Sequence, residues 1–153
     1  MLYLRNKNIN FRRLTKEDLP FLLSVRNHES TVQFLENRKI FELDDCREWF
    51  KKLKDEWWVI RYKDTRVGYI RTSKVRMRLY VGCDIHPDYR GRGYASEAFL
   101  FLIRHYRRNL YLWVFLKNEV AINLYRKFHF KDTGRLKTKN SEPYIEMKYN
   151  GKI

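Results

Sequence analysis

Cys83-Asp84-Ile85-His86-Pro87-Asp88-Tyr89-Arg90-Gly91-Arg92-Gly93-Tyr94-Ala95-Ser96-Glu97-Ala98-Phe99-Leu100-Phe101-Leu102 is the stretch whose reading decides the fold. Leu79 to Ile85 reads as a strand that ends before Pro87, whose missing N–H cannot join a sheet ladder. Past Gly91 and Gly93 the period changes. Ala95, Ala98, Phe99, Leu102 and Ile103 recur at the spacing of a helix with one buried face. A strand, a glycine turn and a helix in that order make an anion site, because first-turn N–H groups lack helical partners and the helix dipole favours negative charge. Gly91 and Gly93 let the backbone approach a phosphate, and Arg90 and Arg92 add positive charge. Neither Gly-x-Gly-x-x-Gly nor Gly-x-x-x-x-Gly-Lys-Ser/Thr occurs in the chain.

Upstream, Ile9 to Leu14 reads as a first strand, and Thr15 with Asp18 as the cap of a helix running to Arg26. A second helix starts at Asp44-Asp45, with Cys46, Trp49, Phe50 and Leu53 at three- and four-residue steps. Trp57 to Tyr62 and Val67 to Val75 pattern as a hairpin turning at 63–66. Downstream, Leu110 to Phe115 is continuously apolar, as expected of a strand buried on both faces. Asn118 is placed to cap a helix from Glu119 to Phe128, and Phe130 to Arg135 and Tyr144 to Tyr149 read as closing strands. The order predicts a single α/β domain over residues 1–153 with a mixed sheet.

Composition narrows the classes. The 153 residues carry 10 Phe, 11 Tyr and 4 Trp, which argues for an ordered core. No apolar run reaches the roughly 20 residues of a membrane span, and residues 1–8 have no signal-peptide core. Cys46 and Cys83 form no Cys-x-x-Cys pair, so reduced thiols and a cytoplasmic location are expected. The four histidines fall at no metal-ligand spacing, and no metal site is expected. Thirty-three Lys and Arg against 18 acids give a net charge of +15, a field that attracts nucleic acid, anionic membrane or a phosphorylated substrate.

Arg90-Gly91-Arg92-Gly93-Tyr94-Ala95, preceded by Pro87-Asp88-Tyr89, resembles the Gln/Arg-x-x-Gly-x-Gly/Ala signature of the GNAT acetyltransferases. Asn118-Glu-Val-Ala121-Ile-Asn-Leu124-Tyr125, followed by His129-Phe130, is similar to that family's second motif. The resemblance implies a mostly antiparallel mixed sheet flanked by helices and transfer of acetyl from acetyl-CoA to a primary amine. It places the pyrophosphate of CoA on Arg90 to Ala95, the pantetheine arm on Asn118, and the thioester oxyanion on a backbone N–H of a splayed strand at Gly82 to Ile85, including Cys83 and Ile85. Gly82 is expected to ease that distortion. Tyr125 matches the usual proton donor to the thiolate, while the base stays open between Asp84, Glu97, a water relay and an amine that is already neutral. His129 stands where the family has glycine, at a helix end expected to take positive φ.

The acceptor is less legible. Val25-Arg26-Asn27 and the segment from Phe41 to Phe50 resemble the branch holding ribosomal-protein and amino-sugar acetyltransferases, which places Arg26 and Asn27 on the acceptor. Lys74, Arg76 and Arg78 alternate with apolar residues, which predicts one strand face with three cations for an anionic acceptor. A nucleotide-linked amino sugar fits that charge first, and a protein N-terminus or an RNA-borne amine second. The competing class is a basic nucleic-acid-binding module without catalysis. Tyr125 and Asn118 speak against it, since binding alone requires neither.

Overall fold

The computed structural model describes residues 6–151; residues 1–5, part of the stretch read above for a secretion signal, lie outside them. Seven strands form one sheet: β1 (Ile9–Arg13), β2 (Trp58–Tyr62), β3 (Thr65–Val75), β4 (Arg78–Ile85), β5 (Leu110–Phe115), β6 (Phe130–Lys139) and β7 (Glu142–Tyr149). Their order across the sheet is β1-β2-β3-β4-β5-β7-β6. β4 with β5 is the one parallel pairing among the described residues. The helices are α1 (Leu19–Arg26), α2 (Glu29–Val32), α3 (Leu43–Lys52), α4 (Tyr94–Tyr106) and α5 (Glu119–Lys127). No helix among these residues is long and apolar enough to cross a membrane.

Alternation along the strands feeds two cores. Ile70, Leu79, Val81, Leu112, Val114, Ile145 and Met147 point to one side, where α4 lays down Ala98, Phe99 and Leu102, all fully buried. Each of these side chains larger than alanine contributes about 1.5–3 kcal/mol of transfer free energy. On the other side Val59 and Tyr69 meet Leu19, Leu22 and Val25 of α1 and Cys46 of α3. That second cover stops at β4. Tyr111 and Trp113 of β5 are therefore only half-buried, which corrects the expectation of a strand buried on both faces.

The chain also departs from its expected elements in three other places. α2, capped by His28, is too short to show a period in sequence. β6 runs on past Arg135, because Gly134 (φ 87°) marks a bulge between Asp132 and Leu136 rather than a strand end. Its hairpin closes at Asn140 and Ser141, both at positive φ, as in a two-residue type I′ turn. Finally, Arg76 (φ 57°) and Met77 form the turn between β3 and β4. Lys74 pairs with Leu79 and Val75 with Arg78, so Lys74 and Arg78 point to opposite faces. The three-cation face does not exist.

Candidate active site

β4 and β5 are paired only at Leu79–Leu110 and Tyr80–Tyr111, yet β4 continues to Ile85 and β5 to Phe115. Beyond Tyr80 the strands part, leaving one edge of β4 without a sheet partner. A cleft of about 590 Å³ fills the split. At its mouth Gly91 (φ 74°) and Gly93 (φ 85°) hold the left-handed turn that starts α4, and a Cβ on either would meet nothing within 4 Å. Glycine is required here for backbone conformation, and the open space beside it is where a ligand can approach. The first N–H groups of α4 face this space, since the helical ladder starts with Glu97 N–H donating to Gly93.

Ten of the residues singled out from sequence line this cleft: Cys83, Asp84, Ile85, Arg90, Gly91, Gly93, Tyr94, Ala95, Asn118 and Tyr125. Arg90 also braces the loop. Its Nε donates to Ile85 O (3.0 Å), and Nη1 and Nη2 donate to Ser30 Oγ (2.6 Å) and Thr31 Oγ1 (2.9 Å) on α2. Asn118 caps α5, accepting from Ala121 N–H at 3.4 Å, and His129 takes φ 67° at the far end of that helix. Tyr125 packs on Phe99, ring centroids 5.0 Å apart. Burial, with the Cys83 thiol beside it, holds the Tyr125 phenol well above its usual range. Burial likewise pushes the Cys83 thiol up to about 12.

Other expected residues lie elsewhere. Glu97 is 7% exposed, accepts from Asn6 N–H at 3.3 Å, and lines a separate hollow with Phe11, Phe101 and His105. Arg92 stands over Tyr89 (5.6 Å) at another hollow. Asn27 spends its amide on the backbone of Phe41, donating to its O (2.7 Å) and accepting from its N–H (3.1 Å). Lys74 and Arg76 line neither the cleft nor the groove described next, and Arg78 is paired with Glu146 at 3.3 Å.

Sequence reasoning missed a second hollow, a groove of about 610 Å³ on the sheet face that α1 and α3 leave open. Trp113 and Tyr80 floor it with parallel rings 6.4 Å apart, and Lys137 (4.1 Å) and Arg135 (5.6 Å) stand over Trp113. Arg135 is paired with Glu146 at 3.0 Å, and Lys137 with Glu36. Arg26 closes one end. Its Nη2 donates to Asn37 O, it lies over the Phe41 ring (5.0 Å), and its Nη1 is buried with no partner. Phe34, Leu35, Arg71 and Trp113 border both the groove and the cleft, so the two spaces meet. No motif carries the groove, because its walls come from strands and loops far apart in sequence.

A sheet that opens at a parallel strand pair, with a glycine loop and a helix N-terminus at its mouth, is the architecture of N-acetyltransferases. Residues 21–130 match the Acetyltransferase (GNAT) family, and the chain belongs to that family. It is an acetyl-CoA-dependent N-acetyltransferase. None of the curated protein sequences matches it. Among solved structures, it is similar to a ribosomal-protein-alanine N-acetyltransferase from Brucella melitensis (20% identity, 91% of this chain and 98% of that one, TM-score 0.78). It is also similar to an N-acetyltransferase from Staphylococcus aureus (21%, 93% and 98%, 0.78). A third is spermidine N-acetyltransferase from Vibrio cholerae with CoA and spermine (18%, 94% and 95%, 0.80). At such identities the likeness is one of fold.

Proposed function

We propose that the chain acetylates the amine of a nucleotide-linked amino sugar, a small anionic acceptor that enters through the open-face groove. The observation that carries this reading is the floor of the groove. Two parallel aromatic rings suit a base, because stacking on aromatic side chains tolerates any base. Lys137 and Arg135, which lie over Trp113 and pair with Glu36 and Glu146, would turn aside to its phosphates as the base takes their place. The buried, unpartnered Nη1 of Arg26 adds a donor for an anion at the groove's head.

In this reading acetyl-CoA lies in the β4–β5 split with its pyrophosphate on the N–H groups from Gly91 to Ala95. Asn118 holds the pantetheine arm, and a free N–H of β4 near Cys83 and Ile85 receives the carbonyl oxyanion. Tyr125 then protonates the departing thiolate. Cys83 supports the need for this step, since burial disfavours a bare thiolate in these surroundings. It disfavours a phenolate at Tyr125 as well, so the phenol passes a proton on and is reprotonated rather than resting ionised. Free Cys46 and Cys83 fit a cytoplasmic setting.

The test is CoA release from acetyl-CoA across a panel of nucleotide-linked amino sugars, free amino sugars, peptides with free N-termini, short RNA and polyamines. The nucleotide-linked sugars should give the highest kcat/KM. A peptide or spermidine turned over 10-fold better than every nucleotide sugar would overturn the acceptor assignment.

A further inference from the structure

Arg71 stands where the cleft and the groove meet and borders both, whereas Asp84 borders only the cleft. Its Nε faces Asp84 Oδ2 at 3.1 Å, and Gly82 lies directly opposite it on β4. A Cβ at Gly82 would fall 2.6 Å from Arg71 Nη2 and 2.9 Å from Cζ. Glycine at 82 therefore makes room for a guanidinium laid across the strand, a purpose beyond the strand distortion expected from sequence. Around this guanidinium stand Tyr69 on β3, Cys83 and Asp84 on β4, Arg26 from α1 and Tyr125 from α5. Glu36 with Lys137, and Arg135 with Glu146, complete the groove's charged wall. Burial works against the charge on Arg71, but the Asp84 carboxylate, helped by Tyr69, Tyr125 and Cys83, outweighs it. Two guanidiniums thus face one carboxylate at the head of the groove.

We propose that Arg71 keeps the acceptor nitrogen unprotonated at the point of attack, and that Asp84 is its anchor and not the general base. The inference rests on the entry of the amine through the groove. A cation at close range disfavours an ammonium beside it. The neutral nitrogen forms its bond to the acetyl carbon and loses a proton to water. The C–S bond breaks, and sulfur takes a proton that Tyr125 recovers from solvent. No carboxylate is needed.

The test follows kcat against pH, which reports groups in the enzyme–substrate complex, with whichever amine of the panel turns over fastest. A panel won by a peptide would overturn the nucleotide-sugar reading and leave this one standing. Gly82→Ala pushes against the free end of a flexible side chain, so the fold should survive while the guanidinium is displaced. In Gly82→Ala and in Arg71→Gln the acid limb of kcat should move up by about 1 pH unit, with the alkaline plateau recovered within several-fold. A merely structural role would lower kcat without moving the limb. Asp84→Asn should leave the limb where it is or lower it, and keep kcat within about 10-fold. An unmoved limb in Gly82→Ala and Arg71→Gln would overturn the proposal. So would a loss of about 10²-fold or more in Asp84→Asn, the signature of a missing base. Should Gly82→Ala fail to fold, Arg71→Gln decides.

Discussion

A single hydroxyl separates the chemical from the structural reading of Tyr125. The ring belongs to the core, against Phe99 and, at 6.1 Å, Phe130. The residue also lines the cleft, where burial keeps the phenol protonated through the whole physiological range. Tyr125→Phe removes the proton and keeps the packing, so kcat should fall about 10²–10⁴-fold while CoA affinity, read by calorimetry, stays unchanged. A folded Tyr125→Phe enzyme with near-normal kcat, chemistry being rate-limiting, would return the residue to the core. This residue was legible because it sits in a motif. Arg71 was not. A lone arginine inside a strand pattern reads as one more cation among 33, and only the register that sets it opposite Gly82 gives both residues a purpose.

At the scale of elements, the strand, loop and helix from Leu79 to Ile103 were readable because each change of period coincides with a proline or a glycine. The same punctuation misled at Gly134, where a bulge and a strand end look alike in sequence, and at Arg76-Met77, where a turn without Gly, Asn or Pro was read as strand. The entry to α1 was legible as a cap, but its capping residue does more than cap. Asp18 is buried and accepts from Arg12 of β1 (2.8 Å, two bonds), Thr15 N–H (2.8 Å) and Arg66 of β3 (2.9 Å), which ties α1 to both strands. Burial alone would raise its pKa, but these donors outweigh it and hold the carboxyl well below the usual range. A depressed folded pKa means that the unfolded state binds the proton first. The contribution of Asp18 is therefore complete above the unfolded value near 4, and is lost as pH falls through the folded one. Asp18→Asn should cost on the order of 2 kcal/mol at pH 7, less than a fully buried pair because both arginines are partly solvated. Urea midpoints of the two proteins should converge as pH drops below about 4. A gap of equal size at pH 7 and pH 3 would mean that the carboxylate charge contributes nothing.

Over the whole molecule the charge of +15 was plain in the sequence, but its arrangement was not, and arrangement decides what it can do. Lys74 lies on the sheet face opposite the groove, while Arg26, Arg71, Arg135 and Lys137 converge on the groove from α1, β3 and β6. The charges inside the groove are largely matched by Asp84, Glu36 and Glu146, so the long-range attraction for an anion comes from the rest of the surface. Such a field is screened over about 10 Å at 0.1 M salt and about 3 Å at 1 M. The KM of an anionic acceptor should therefore climb as salt rises from about 0.05 to 0.5 M, with kcat nearly constant, because screening weakens ground-state and transition-state binding alike. A polyamine tested in parallel should show the opposite slope, its repulsion relieved. Lys74→Gln removes one charge on the wrong face and should leave the acceptor's KM within about 2-fold of wild type at low salt. A KM for the best acceptor that falls with salt would identify a cationic substrate, and the surface charge would then be an obstacle to binding instead of its source.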